Sequence, residues 1–348
     1  MFFITFLSVY FGGNFYILWR LFGLLGFKRR FVFALLLLVL TFSFLAAAIL
    51  EARFGNALTR VLYILAAHWM GVAIILLSCL LVYEVVNFFS KIPRPCGAIA
   101  VLTIAAVTSI YAMINARILY VTSVQIPATV DMDIVQLSDI HLGSVSSKFL
   151  SRIVEKTNGL NPDVVLITGD LIDSAHRLDT AAVVTLNQLN APVFFVTGNH
   201  ERYANIDKVM ALLNTTKVKA LRNEAVDFDG IQIIGIDDKD DENQVANQLT
   251  NVKIKPSKFS VLMYHRPEGL EAASKAGVDL MLSGHTHSGQ IFPFNYYVRR
   301  RFRYMKGLYK HGSSYLYVST GTGTWGPRMR LGSKCEIVLV KLRPGPST

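Results

Sequence analysis

Acidic side chains are nearly missing from the first third of this 348-residue chain: residues 1–117 hold only Glu51 and Glu84, against nine Lys and Arg. The overall hydrophobic fraction of 52% is too high for an ordinary soluble protein, and the excess sits in that third. Cysteine is scarce as well. Cys79 and Cys96 lie in apolar runs and Cys335 stands alone, which excludes a disulfide framework and a cysteine-based zinc spacing but leaves the redox compartment open. Internal repeats and low-complexity tracts are absent. The longest apolar runs lack charge altogether: residues 31–50, 61–83 and 97–114 contain no Asp, Glu, Lys or Arg. Charges within spans are the usual mark of an ion or substrate path, so their absence argues against a transporter and for an anchor.

What is there in residues 1–117 is a transmembrane region of about four helices. Runs 31–50 and 61–83 match the roughly 20 residues that cross a hydrocarbon core, and 97–114 is slightly shorter. Residues 2–25 carry Asn14, Arg20 and several glycines, and are read as a span with an interfacial helix as the alternative. No basic segment and small-residue cleavage site precede the next run, so a cleavable signal peptide is not expected. His68, the one ionisable group in a charge-free run, is expected to make a helix–helix hydrogen bond. Lys28, Arg29, Arg30, Lys91 and Arg94 fall in two loops on one side; Arg53, Arg60 and Arg117 fall on the other. Five against three predicts the first side to be cytoplasmic. The chain is then a multi-pass protein of a plasma or inner membrane, with its soluble part outside the cytoplasm.

Residues 118–131 are expected to be a linker, with Pro127 ending any helical continuation. Residues 132–343 hold a second domain and 344–348 a tail. Within it, short β-branched strands alternate with helical segments. Strands are predicted at 133–138, 164–168, 192–197, 231–236, 259–264, 279–283, 315–318 and 336–342. Helices are predicted at 148–160, 180–189, 206–213, near 242–250 and at 268–276. This alternation predicts an α/β domain with both sheet faces covered, and ligands in such sheets bind beyond the carboxyl ends of the strands.

Five strand ends carry polar clusters: Asp139-x-His141, Gly169-Asp170-x-x-Asp173, Gly198-Asn199-His200-Glu201, His265-x-Pro267 and Gly284-His285-Thr286-His287. Each alone has a plain reading as a turn or a buried histidine. Their conjunction points to one shared site. The ligand types favour Mn, Fe or Zn, because Mg and Ca prefer all-oxygen shells. Asn199 would add a neutral oxygen, which limits the negative charge facing an anionic substrate.

The order and spacing of these motifs resemble the calcineurin-like metallophosphoesterase superfamily over roughly residues 131–343. The Ser283–Gln290 run, the Gly321–Gly326 run and the apolar N-terminus are similar to its membrane-anchored bacterial-type branch. The resemblance implies a helix-flanked β-sandwich, the four-layer αββα fold, and two divalent metal ions. It implies that one metal takes Asp139, His141, Asp170 and His287 and the other Asp170, Asn199, His265 and His285, with Asp170 bridging. It implies hydrolysis by a metal-bound hydroxide that attacks phosphorus, with His200 stabilising the phosphoryl oxygens or protonating the leaving group. Asp173, Glu201 and Thr286 match the pattern and are expected to support the ligands rather than bind metal. Ser288 stands where related sequences often have glycine. All ligand positions are filled, which a degenerate copy would not show. His176 and His311 lack motif context and are expected at the surface.

Residues 291–334 contain nine Lys and Arg and no acid, interleaved with Tyr296, Tyr297, Tyr304 and Tyr309. Basic and aromatic residues together suit a headgroup zone, so contact with the membrane bilayer is expected, with a solvated loop as the plain alternative; nucleic acid is not expected as a partner. Arg328 and Arg330 are candidate substrate-phosphate contacts. The resulting expectation is a membrane-anchored dinuclear phosphoesterase acting on a phosphate ester or pyrophosphate of a phosphorylated, lipid-linked substrate. The alternative is a non-catalytic membrane scaffold with the same fold.

Overall fold

The computed structural model describes residues 2–173 and 180–344; His176 and the tail beyond residue 344 lie outside the described residues. The chain divides into two compact units. The first comprises residues 1–115 with 291–294 and 326–331, and the second comprises 116–290, 295–325 and 332–348.

The first unit is built on four helices: α1 (Phe2–Leu25), α2 (Arg30–Phe54), α3 (Ala57–Ser90) and α4 (Arg94–Asn115). Among the described residues, α2, α3 and α4 are long and apolar enough to cross a membrane. The polar residues that weaken α1 are bonded to α3. Trp69 Nε1 donates to Asn14 Oδ1 at 2.9 Å, and Arg20 Nε donates to Glu84 Oε1 at 2.5 Å. Glu84 therefore lies inside α3, which runs past the apolar stretch at 61–83. The turn between α2 and α3 is set by Gly55 in the left-handed region and by a reciprocal cap in which Thr59 N–H donates to Asn56 Oδ1 and Asn56 N–H to Thr59 Oγ1. Within α3, His68 Nδ1 lies 2.7 Å from the Ile64 carbonyl one turn earlier.

Ile291 and Met329 are buried with Ala73, Ile75 and Ala105 in the apolar cluster of this unit. Gly71 of α3 makes room for them, since a Cβ there would meet Met329 Sδ at 2.6 Å. Arg330 N–H donates to Ala112 O at 2.9 Å, and Asn115 Nδ2 donates to Arg330 O at 3.0 Å.

The second unit contains two six-stranded sheets. The first has the order β1 (Leu119–Ala128), β12 (Cys335–Pro344), β2 (Met132–Leu137), β3 (Val164–Thr168), β4 (Val193–Val196), β5 (Lys219–Ala220). The second has the order β10 (Gly307–His311), β11 (Ser314–Val318), β9 (Leu280–Ser283), β8 (Phe259–Tyr264), β7 (Ile231–Ile236), β6 (Glu224–Phe228). Strand periodicity sorts the side chains. Val164 and Leu166 face the shared core between the sheets with Ile233, Val261 and Leu280, while Val165 and Ile167 face outward. The outer face of the first sheet is covered by α5 (Ser147–Asn158), α6 (Thr180–Val184) and α8 (Ile206–Leu213). That of the second is covered by α9 (Gln244–Leu249) and α10 (Leu270–Lys275). This is the four-layer αββα arrangement.

The expected linker at 118–131 is corrected: most of it is β1, paired in parallel with β12 from Leu119↔Cys335 to Ala128↔Pro344. β1 is an edge strand, which is where a strand tolerates Pro127. Residues 295–301 form α11 (Asn295–Arg301), and the basic stretch then folds into the β10–β11 hairpin.

Candidate metal centre

Strands β2, β3 and β4 of one sheet and β8 and β9 of the other are parallel within their sheets. Gln136 Nε2 bridges the two sheets at their carboxyl ends, donating to Thr168 Oγ1 at 3.0 Å and to Ser283 O at 2.9 Å. The five polar clusters follow these strands and meet at one rim. Gly198 and Gly284 permit close approach, because a Cβ at either would overlap the Asp170 or the Asp139 carboxylate.

Among the described residues, three groups of side chains have ligand atoms within 4.8 Å of one another: Asp139, His141 and His287; Asp170, His265 and His285; and His141, Asp173 and His200. In the first, His287 Nε2 lies 3.4 Å from Asp139 Oδ1 and 3.0 Å from His141 Nε2. In the second, His265 Nε2 lies 3.1 Å from Asp170 Oδ2 and 3.2 Å from His285 Nδ1. Asp170 Oδ2 is also 3.9 Å from His141 Nε2, which joins the two groups. Two ligand atoms each about 2.1 Å from one cation are separated by about 3.0–3.4 Å, so these spacings fit the edges of coordination shells. Asn199 adds a buried Oδ1 that accepts no hydrogen bond among the described residues, an arrangement that is costly unless a cation takes the oxygen.

The backbone at this rim is strained. Asp139 (φ 52°), His141 (φ 55°), Asp170 (φ 50°), His285 (φ 70°) and His287 (φ 48°) are all left-handed. Each such residue costs about 1–2 kcal/mol, and clustered strain of this kind marks sites whose geometry is held by surrounding bonds. Those bonds are present. Asp139 N–H donates to Gly169 O and His141 N–H to Asp170 O, each at 3.0 Å. His285 N–H points at the Asp139 carboxylate at 3.1 Å.

Burial pushes the Asp139 carboxyl up. Burial acts the same way on Asp170, yet His265, His200 and His141 outweigh it and hold that carboxyl well below the usual range. His265 is opposed by burial but pushed up to about 10 by Asp170 and Asp139, whereas burial and the neighbouring His265 hold His285 well below its ordinary value. His265 Nδ1 faces the Thr168 carbonyl at 2.8 Å, which turns Nε2 toward Asp170.

Around this centre, Glu201 is buried and accepts three backbone N–H groups: Asp170 at 3.0 Å, Ile172 at 2.9 Å and Gly198 at 2.7 Å. Burial and Asp170 push its carboxyl up to about 7. Asp173 lies 2.9 Å from His200 Nδ1 and 3.6 Å from His141 Nδ1 and accepts from Ser144 Oγ. It is the common partner of both imidazoles, a larger part than its sequence context suggested. Thr286 Oγ1 donates to Met305 O at 2.6 Å. His200 has two aromatic neighbours: Trp325, which lies in the Gly321–Gly326 run, and Tyr203, which carried no motif signal.

The sequence-predicted residues outside the cluster are placed as follows. Arg328 and Arg330 belong to the first unit, with Arg330 fully buried there. His311 is half-buried on β10. In the basic stretch, Arg303 pairs with Glu271 at 2.7 Å and Arg301 with Glu268 at 3.7 Å, while Arg299 and Arg300 are exposed.

Comparison with known proteins bears on this geometry. The family described as calcineurin-like phosphoesterase matches residues 132–289. An uncharacterized metallophosphoesterase of Campylobacter jejuni is 38% identical over 70% of this chain and 68% of its own length. One from Helicobacter pylori is 37% identical over 62% of this chain and 60% of its own. A bovine protein named transmembrane protein with metallophosphoesterase domain is 35% identical over 73% of this chain and 63% of its own. The chain thus spans a little under two thirds of the last two.

Proposed function

The chain belongs to the calcineurin-like phosphoesterase family of metal-dependent phosphoesterases, and from that premise we propose a membrane-anchored enzyme with a dinuclear centre that hydrolyses a phosphate ester or pyrophosphate. The observation that carries this reading is the junction of the first two ligand groups at Asp170. Asp139, His141 and His287 would hold one divalent ion, and Asn199, His265 and His285 the other, with Asp170 touching both. A bound pair would supply Lewis acidity at the phosphoryl oxygens and lower the pKa of water toward neutrality.

The protein's own groups divide the remaining work. His200 is opposed by burial, but Asp170 and Asp173 push its pKa up to about 9. In its protonated form it is able to donate a hydrogen bond to a phosphoryl oxygen or a proton to the departing oxygen. Asp173 holds the donor ring by its Nδ1, leaving Nε2 for substrate. Glu201 ties the turns of Asp170 and Gly198 together, so the bridging carboxylate keeps its place. The complete ligand set favours an enzyme over a scaffold.

The anchor is proposed to be multi-pass, with the catalytic unit outside the cytoplasm, on the asymmetry of Lys and Arg around the helices. Anchoring and the exposed Tyr296, Tyr297, Arg299 and Arg300 of α11 support a substrate presented at a lipid surface. The detergent-solubilised protein should hydrolyse an aryl phosphate with Mn²⁺ and bind two metal ions per chain by elemental analysis. Asp170→Asn should lose both, whereas Asp139→Asn and His265→Ala should first lose one. Activity that survives exhaustive chelation would overturn the reading.

A further inference from the structure

His200 is flanked by two aromatic rings that phosphoryl chemistry does not require. The Tyr203 ring lies 5.6 Å from the imidazole, at 66°, and the Trp325 ring 6.0 Å away, at 67°. Both rings remain open to solvent, with Tyr203 72% and Trp325 43% exposed. Isolated exposed aromatics are ordinary. Trp325 differs because its backbone is clamped. Gln290 Nε2 donates to Trp325 O at 2.9 Å, and Trp325 N–H donates to Gln290 Oε1 at 3.0 Å. One side-chain amide therefore grips the main chain on both sides of a single residue. Gln290 is itself fixed: its N–H donates to His287 O at 3.0 Å and its carbonyl accepts from Ser333 Oγ at 2.8 Å. The clamp ties Trp325 to the turn that carries His285 and His287. A ring with a fixed backbone and an open face suits binding, since little further ordering is lost when a ligand arrives.

We propose that Trp325 and Tyr203 form a specificity wall for the leaving group, selecting phosphate esters in which a ring, aromatic or sugar, lies next to the phosphate. The inference rests on the phosphoesterase reading above. His200 would meet the departing oxygen, so the rings beside it face the departing portion of the substrate rather than the phosphoryl group. An aromatic face gains dispersion and stacking from an aryl ring, a base or the apolar face of a sugar, and much less from an open glycerol-type chain. A lipid-linked substrate fits the wall when a ring separates its phosphate from its chains.

The test uses full-length Mn²⁺-loaded protein and three esters: 1-naphthyl phosphate, glucose 1-phosphate and glycerol 2-phosphate. Trp325→Ala should lower kcat/KM for a ring substrate about tenfold, mainly through KM, the size of one aromatic contact. The loss on glycerol 2-phosphate should stay below about threefold. Trp325→Phe should restore most of the aryl rate, and Gln290→Ala should reproduce part of the Trp325→Ala loss. A fall confined to the naphthyl ester assigns the wall to aromatic groups, and one confined to the sugar ester to glycans. Equal falls on all three, or no fall, overturn the proposal. If the wild type hydrolyses none of them, the phosphoesterase reading fails separately. The wall is then judged by quenching of tryptophan fluorescence on binding 1-naphthylphosphonate: loss of the quench in Trp325→Phe supports it, and a quench unchanged or absent overturns it.

Discussion

Asp173 Oδ1 lies 2.9 Å from His200 Nδ1, and both side chains are almost entirely buried. Although burial opposes the charge on His200, Asp170 and Asp173 push its pKa up to about 9 from 6.5. In the metal-free protein this pair stabilises the fold fully below about pH 6.5, and the contribution is lost as pH rises through about 9. Asp173→Asn removes one of the negative neighbours, leaving Asp170 and Glu201. The imidazolium is then less favoured and its pKa falls, so the alkaline limb of kcat should move to lower pH by about one unit or more. At neutral pH kcat should fall about ten- to a hundredfold. A pH–rate profile of the variant checks both; an unmoved limb would show that His200 is not the titrating acid.

The left-handed backbone at His285 (φ 70°) gives a second prediction. Glycine adopts that conformation without the Cβ penalty, worth about 1 kcal/mol, and the His285 N–H bond to Asp139 would persist. His285→Gly should therefore leave the thermal midpoint of chelated protein unchanged or raised. It should also abolish the extra stability that added Mn²⁺ confers on the wild type. Thermal unfolding with and without chelator measures both, and a large loss of stability in the chelated variant would refute the strain argument.

These two sites show what the sequence conveys and what it leaves out. The ligand residues were legible because Val164–Thr168 and its neighbours are fully buried, short apolar runs that stop abruptly at His, Asp or Asn. The outer edges were less legible. β1 alternates between buried and exposed positions and contains Pro127, features shared by linkers, and only its pairing with β12, more than 200 residues away, makes it a strand. The left-handed turns at Asp139, His141, Asp170, His285 and His287 are a minority conformation even for Asp and His, which adopt it more readily than most residues, so propensity alone does not locate them. The clamp between Gln290 and Trp325 depends on a fold-level approach of two loops, which spacing does not encode.

Glu201 accepts three backbone N–H groups in a fully buried position. Glutamine preserves its size but turns an amide donor toward N–H donors, leaving at least one unsatisfied. Glu201→Gln should destabilise the protein by about 1.5–3 kcal/mol and lower metal occupancy, because the Asp170 turn loses its tie. Denaturant unfolding and elemental analysis test this. Retention of both wild-type stability and two metals would mean that the surrounding turns hold Asp170 without it.

Cys96 offers a direct test of sidedness. It is exposed near the start of α4, in the same turn as Lys91 and Arg94, while Cys79 is half-buried in α3 and Cys335 is fully buried. The excess of Lys and Arg predicts a cytoplasmic position for that turn. A membrane-impermeant maleimide should therefore leave Cys96 unlabelled in intact cells and label it after lysis. A cysteine placed at the exposed Lys208 of α8 should show the reverse, reacting in intact cells. Cys96→Ser removes the background signal and completes the comparison. Labelling of Cys96 in intact cells, together with protection of position 208, would place the catalytic unit in the cytoplasm and confine its substrates to that leaflet.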